Sequence, residues 1–182
     1  MSEQTPDFTV TTNTWKNFIT VHEPDEKEIA KLSYPSMFAK RAIYEIHRPQ
    51  ASFEIKGVNF WGTQLQIKNL NEASRVIGTV KRNNLMSRTF VIILGGEGED
   101  KTGFYLRPKT GLKSRYLVYD RKDQLVLEYC SRFNWRKFRM EYDLFWHQEG
   151  TNQGSRLFLI GIGLHVIKLI QQSNQSAAGA GG

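Results

Sequence analysis

The stretch from Ser155 to Ser173, "SRLFLIGIGLHVIKLIQQS", is the most apolar part of an otherwise polar, basic chain. It suits three structures: a membrane span, one or two strands, or a helix buried on every side. Its apolar part, residues 157–170, falls short of the roughly 20 predominantly apolar residues of a span and includes His165 and Lys168. As a strand it would be long, and Gly161 and Gly163 would weaken it. As a helix over 156–172 it would be about 25 Å long. Its apolar side chains, at about 1.5–3 kcal/mol each when fully buried, would contribute on the order of 15–30 kcal/mol. That outweighs two glycines at about 1 kcal/mol each. A helix apolar all round must be enclosed all round.

The residues ahead of it provide the enclosure. "DFTVTT", "NFITVHE", "EIAKLSY", "AIYEIH", "SFEIKGV" and "TQLQIKNL" alternate polar and apolar residues. So do "RVIGTVKR", "RTFVIIL", "GFYLRP", "RYLVYD", "LVLEYCSRF" and "KFRMEYDLFW". Each is rich in Val, Ile, Thr, Tyr and Phe, which marks strands. Gly, Pro, Asn and Asp collect between them, in "HEPDEKE", "RNNLMS", "GGEGEDKTG" and "QEGTNQG". Connections this short join antiparallel neighbours. Hairpins are expected to turn near Asn69–Ala73 and at Asp120–Asp123. About 12 strands rarely stay an open sheet. The expected fold is mainly β: a closed antiparallel barrel of about 12 strands around a buried C-terminal hydrophobic helix. Such a barrel is too wide for its own side chains to fill, so the helix plugs it. The domain is read as residues 1–173, with the helix at 156–172 and a flexible tail at 174–182.

This order of elements resembles the tubby C-terminal-like superfamily, which includes tubby-like proteins, phospholipid scramblases and LURP-one-related proteins. The local likeness lies in "FEIKGVNFWGTQLQIKNLNEASRVIGTVKR" (53–82) and in the terminal "RLFLIGIGLHVIKLI". The resemblance implies a binding domain and not an enzyme. It also implies phosphoinositide headgroups held by Lys and Arg on adjacent strands, although no ligand residue aligns one by one. The cysteine-rich palmitoylated segment of scramblases has no counterpart in this sequence, which argues against scramblase activity.

Charge and composition point the same way. The formal net charge is +7. Residues 81–140 carry 14 Lys/Arg against 6 Asp/Glu, while the two flanking regions are nearly balanced. A basic middle third implies an anionic partner, either lipid headgroups or an acidic protein. The candidate anion-binding residues are Lys81, Arg82, Arg88, Arg107, Lys109, Lys113 and Arg115, because converging Lys and Arg hold phosphate. A second reading uses "SRFNWRKFRM" (131–140). There Arg132, Trp135, Arg136, Lys137 and Arg139 mix cations with aromatics, as single-stranded nucleic-acid sites do. Read as a continuous strand, the segment would set Phe133, Trp135 and Lys137 on one face and Asn134, Arg136 and Phe138 on the other, with some aromatics in the core. A protein-interaction domain without a lipid ligand is the third reading.

Signals for chemistry are sparse. His22, His47, His147 and His165 show no metal-ligand spacing, and His165 reads as a core group. "LGGEGEDKTG" (94–103) fails the phosphate-loop pattern because Asp100 precedes Lys101. No enzymatic activity, metal or cofactor is expected. A single cysteine, Cys130, makes no intrachain disulfide and suggests a reducing compartment. "MSEQTPDFTV" has no apolar signal region. The expected location is the cytoplasm, peripheral to a membrane surface, with no transmembrane segment.

Overall fold

A computed structural model of the chain describes residues 5–13, 16–36, 39–59, 63–83, 88–96, 100–109 and 114–179, with the side chains of 176–179 left out. The strands are β1 (Phe8–Asn13), β2 (Phe18–His22), β3 (Glu28–Ser33), β4 (Arg41–Ile46), β5 (Ala51–Gly57) and β6 (Gln64–Asn69). They continue as β7 (Arg75–Arg82), β8 (Phe90–Leu94), β9 (Thr102–Lys109), β10 (Arg115–Asp120), β11 (Leu125–Asn134) and β12 (Arg139–Trp146). One helix, α1 (Gln153–Gly179), follows. Each strand pairs antiparallel with its neighbours in sequence, and β1 pairs with β12 to close the barrel. The closing register sets Phe8 against Leu144 and Thr11 against Glu141. Asp7 reinforces the seam by accepting the backbone N–H of Trp146 at 2.8 Å.

The alternating residues read in the sequence form the two faces of the wall. Val10, Val21, Leu32, Ile55, Ile67, Val80, Ile92, Leu106, Val118 and Leu144 are buried. They point inward onto α1, where Leu157 and residues 159–167 are buried in turn. The hairpins expected near Asn69–Ala73 and Asp120–Asp123 join β6 to β7 and β10 to β11.

The helix is longer than the sequence reading had it: 27 residues, from Gln153 to Gly179, against an expected 156–172. At its start Asn152 is the N-cap, its side-chain oxygen accepting the Ser155 N–H at 2.8 Å. At its other end the segment expected to be a flexible tail continues the helix through Gly179. Ser, Gln and Ala add turns readily to a helix already nucleated and held by packing. Residues 153–175 are long and apolar enough to cross a membrane by length and composition. The length argument against a span therefore fails. What accounts for the apolar face is the barrel wall that surrounds it.

Inside the barrel, tyrosines bridge strand and helix. The Tyr44 hydroxyl donates to the carbonyl of Leu157 at 2.7 Å. That of Tyr129 donates to the carbonyl of Ile160 at 3.1 Å. Both side chains are fully buried. A Cβ on Gly161 would clash with the Tyr44 ring, and one on Gly163 would overlap the Tyr129 hydroxyl. The two glycines thus let each ring lie on the helix backbone. Higher up, the Tyr34 hydroxyl meets Nδ1 of His165 at 3.3 Å and the two rings stack. Burial first, and then the charge of Lys168, pushes the His165 imidazole down to about 3, so it stays neutral.

Helix propensity favours Gly161→Ala by about 1 kcal/mol. The ring contact predicts the reverse, a loss of about 1–3 kcal/mol from overpacking. Urea denaturation decides the sign, and a stabilised variant would refute the contact. His165 predicts an acid-sensitive stability. Unfolded, it binds a proton near pH 6.5; folded, it refuses one down to about pH 3. Its contribution is complete above pH 6.5 and declines by about 1.4 kcal/mol per pH unit below it. Between pH 7.5 and pH 5, His165→Leu should therefore lose about 2 kcal/mol less stability than the wild type. Equal losses in the two proteins would refute a buried neutral imidazole.

Candidate functional site

An antiparallel meander sends alternate connections to opposite ends. The connections β1–β2, β3–β4, β5–β6, β7–β8, β9–β10 and β11–β12 all lie at one end of the barrel. The even-to-odd connections and the β12–α1 link lie at the other. In sequence, the first set and its flanking strand residues contain no Asp or Glu. They contain 11 Lys/Arg: Lys16, Lys40, Arg41, Arg82, Arg88, Lys109, Lys113, Arg115, Arg136, Lys137 and Arg139. The opposite set, counted the same way, holds 11 Asp/Glu against 6 Lys/Arg. The barrel has a basic end and an acidic end. The helix enters at the acidic end, where Gln153 donates to Glu23 at 2.8 Å, and leaves at the basic one.

Exposed apolar side chains share the basic end. Of the five large exposed hydrophobics among the described residues, Val58, Phe133, Trp135 and Phe138 lie there, and Leu70 lies at the other end. Trp135 and Phe138 are each 79% exposed. Both sit in the turn between β11 and β12, so the alternation of faces that a continuous strand would give 131–140 does not occur. The turn gathers its aromatics on the surface. Phe133 packs edge-on against Trp135 with ring centroids 4.7 Å apart and against Phe138 at 5.4 Å. Asn134 supports the turn by accepting the Lys137 backbone N–H at 3.1 Å. Phe138 completes it with a φ of 48°, in the left-handed region.

The residues singled out in the sequence divide into groups. Lys81, Arg82 and Arg88 belong to one hairpin at the basic rim, with Arg82 opposite Phe90. Lys109 and Arg115 are direct cross-strand partners on β9 and β10. Arg115 is also paired with Glu128 at 3.0 Å. Arg107 is drawn away from the rim. It pairs with Asp123 at 3.0 Å, in a connection of the acidic end, and lies over the rings of Tyr105 and Tyr119. Lys113 lies outside the described residues. Of the second set, Trp135, Arg136 and Lys137 form the exposed turn, whereas Arg132 and Arg139 are tied to Glu141 at 3.1 and 3.0 Å. Glu141 is 5% exposed. Burial by itself raises its pKa. The hydrogen bonds from Arg139 and Asn134, with the charge of Arg132, offset this and hold it lowered.

The sequence reading missed the half-enclosed cavity of about 230 Å³ at the basic mouth, between β1, β2, β12 and α1. Its signal was Lys168, the lone Lys or Arg in the apolar run 157–170. Cys130 is half-buried, and burial, helped by Glu128, pushes its thiol up to about 11. It is therefore a poor nucleophile near neutral pH. Among the described residues no cluster of His, Cys, Asp and Glu is arranged to hold a metal ion.

Comparison with known proteins returned no match to a family model, a curated protein or a solved structure.

Glu141→Gln should cost about 1–2 kcal/mol at pH 7 by removing the carboxylate shared by two arginines. Because the folded pKa of Glu141 is lowered, its contribution is present above the unfolded carboxylate range and is lost as pH falls through the folded value. Denaturation midpoints of wild type and variant should thus differ at pH 7 and converge at low pH. A constant difference would indicate a packing effect and not an ionic one.

Proposed function

We propose that the protein is a non-enzymatic binding module that sets its basic barrel end against anionic phospholipid surfaces, phosphoinositide-containing ones included. The observation that carries this reading is the sorting of charge. One end carries Lys/Arg without a single acid in its connections, and the other is acidic. Near an anionic membrane each basic side chain contributes about 1 kcal/mol, and the opposed acidic end orients the molecule. The exposed Trp135 and Phe138, flanked by Arg136 and Lys137, match the chemistry of a headgroup layer, where aromatic rings sit among polar groups. The resemblance to the tubby C-terminal-like superfamily supports the headgroup class. The corresponding location is peripheral, on the cytoplasmic face of a membrane.

A second reading rests on the same turn. Trp135 and Phe138 could stack bases while Arg136 and Lys137 hold phosphates of a single strand. Lipid is favoured because the cations are spread over five of the six hairpins of the rim and not along one groove.

Flotation with phosphatidylcholine vesicles, with and without phosphatidylserine or a phosphoinositide, tests the proposal. Binding should require anionic lipid and weaken with salt. Arg136→Glu with Lys137→Glu should weaken it tenfold or more, and Trp135→Ala with Phe138→Ala should weaken it without lowering thermal stability. No binding at any salt concentration would sink the lipid reading. Tighter binding to single-stranded DNA than to vesicles would replace it with the second.

A further inference from the structure

The cavity at the basic mouth has a chemistry that the surface reading does not use. Its apolar walls are Phe18, Ile19, Met140 and Leu164. Lys168 enters it from the helix, and none of the described residues lining it is Asp or Glu. The Lys168 Nζ lies over the ring of Tyr34, 3.1 Å from its centroid. No carboxylate lies within ion-pair distance of it among the described residues. A half-buried ammonium without an anion is costly, and a cation–π contact offsets only part of that cost. Burial accordingly pushes Lys168 down to about 8, a value that a bound anion would raise.

A second polar group converges on the same space. Tyr142, 2% exposed, accepts a hydrogen bond from the Gln171 amide at 3.0 Å. Burial first, then the neighbouring Tyr116, pushes its pKa up to about 12 although Gln171 lowers it, so the phenol keeps its own proton to donate. Besides the hydroxyl and amide side chains of Thr12, Asn13, Asn17, Gln171, Gln172 and Gln175, the cavity thus offers one ammonium, one phenolic O–H and an apolar wall. A phosphate dianion calls for more than one cation. A carboxylate needs one cation and one or two further donors. The cavity volume is about 230 Å³. That is below the range for drug-sized ligands.

From this geometry we propose that the barrel mouth is a binding site for a short amphipathic monocarboxylate, its carboxylate on Lys168 and Tyr142 and its chain against Phe18, Ile19, Met140 and Leu164. The site is separate from the exposed β11–β12 turn and does not depend on membrane docking.

Octanoate is the probe, with 1-octanol as its neutral counterpart. Isothermal titration of the whole chain should show octanoate binding one to one and at least tenfold more tightly than 1-octanol. Lys168→Gln should lower octanoate affinity about tenfold and leave the weak binding of 1-octanol unchanged. Reductive methylation of the wild-type protein, read by mass spectrometry, gives a test that no variant's folding can confound. Octanoate should protect Lys168 and leave Lys109 and Lys137 as reactive as before. Equal affinity for the acid and the alcohol, or unchanged methylation of Lys168, would overturn the proposal. Inorganic phosphate protecting Lys168 as well as octanoate does would overturn the carboxylate assignment. Arg136→Glu with Lys137→Glu should still bind octanoate, so failure of vesicle binding and failure of this site are read independently.

Discussion

Two tyrosine hydroxyls resting on a helix backbone are the constraint on which the rest of this structure depends. A barrel of 12 strands leaves a bore that its own side chains do not close, and a helix in the bore must be gripped from all sides. Aliphatic side chains supply most of the contact. Tyr44 and Tyr129 supply position, because a buried hydroxyl has to find an acceptor. The helix carbonyls provide one, since each has a second lone pair beyond its intrahelical bond. Reaching it requires the ring to lie where a Cβ would stand. Gly161 and Gly163 are therefore the places where wall and helix touch most closely, and they fix both the depth and the rotation of the helix.

Fixing the helix fixes the mouth. With Leu157 and Ile160 held by the two tyrosines, the next turns bring His165 to Tyr34, Lys168 over the Tyr34 ring, and Gln171 to Tyr142. The polar groups of the interior thus follow one another along α1 towards the basic end, where the wall opens into the cavity. A lysine so placed is poorly solvated and has no carboxylate partner among the described residues, which is a stability cost that makes sense at a site for an anion. The core and the mouth are two stretches of one packing arrangement.

Much of the fold was legible because its signals are local. Period-two alternation marks strands such as "RVIGTVKR" and "RYLVYD", and short polar turns imply neighbouring antiparallel pairs. The apolar run at 155–173 then had only one place to go. Its ends were harder. Asn152 as a cap and the Ser-Gln-Ala continuation are weak signals beside the apolar run, and the helix is longer at both ends. The exposure of the turn at 135–138 was hidden because, read as a strand, 131–140 would put some of its aromatics in the core. Only the hairpin shows them outside. Arg107 illustrates the same gap. It sits two residues from Lys109 in sequence, yet its charge answers Asp123 at the opposite end.

From the amino-acid order came the class of the fold: strands, their antiparallel succession, the enclosed helix and the basic bias of the middle third. Those follow from hydrophobic period and turn chemistry, which act over a few residues. Tertiary structure alone decided where the charges stand. Lys16, Arg82, Lys109 and Lys137 are scattered along the sequence and share one rim only because every odd-numbered strand of a closed meander ends at the same side. Glu23, Glu72 and Asp123 collect at the opposite end by the same rule. The two ends, and the cavity that opens at one of them, exist only once β1 and β12 have paired, since closure is the step that turns alternation along a chain into two opposed surfaces.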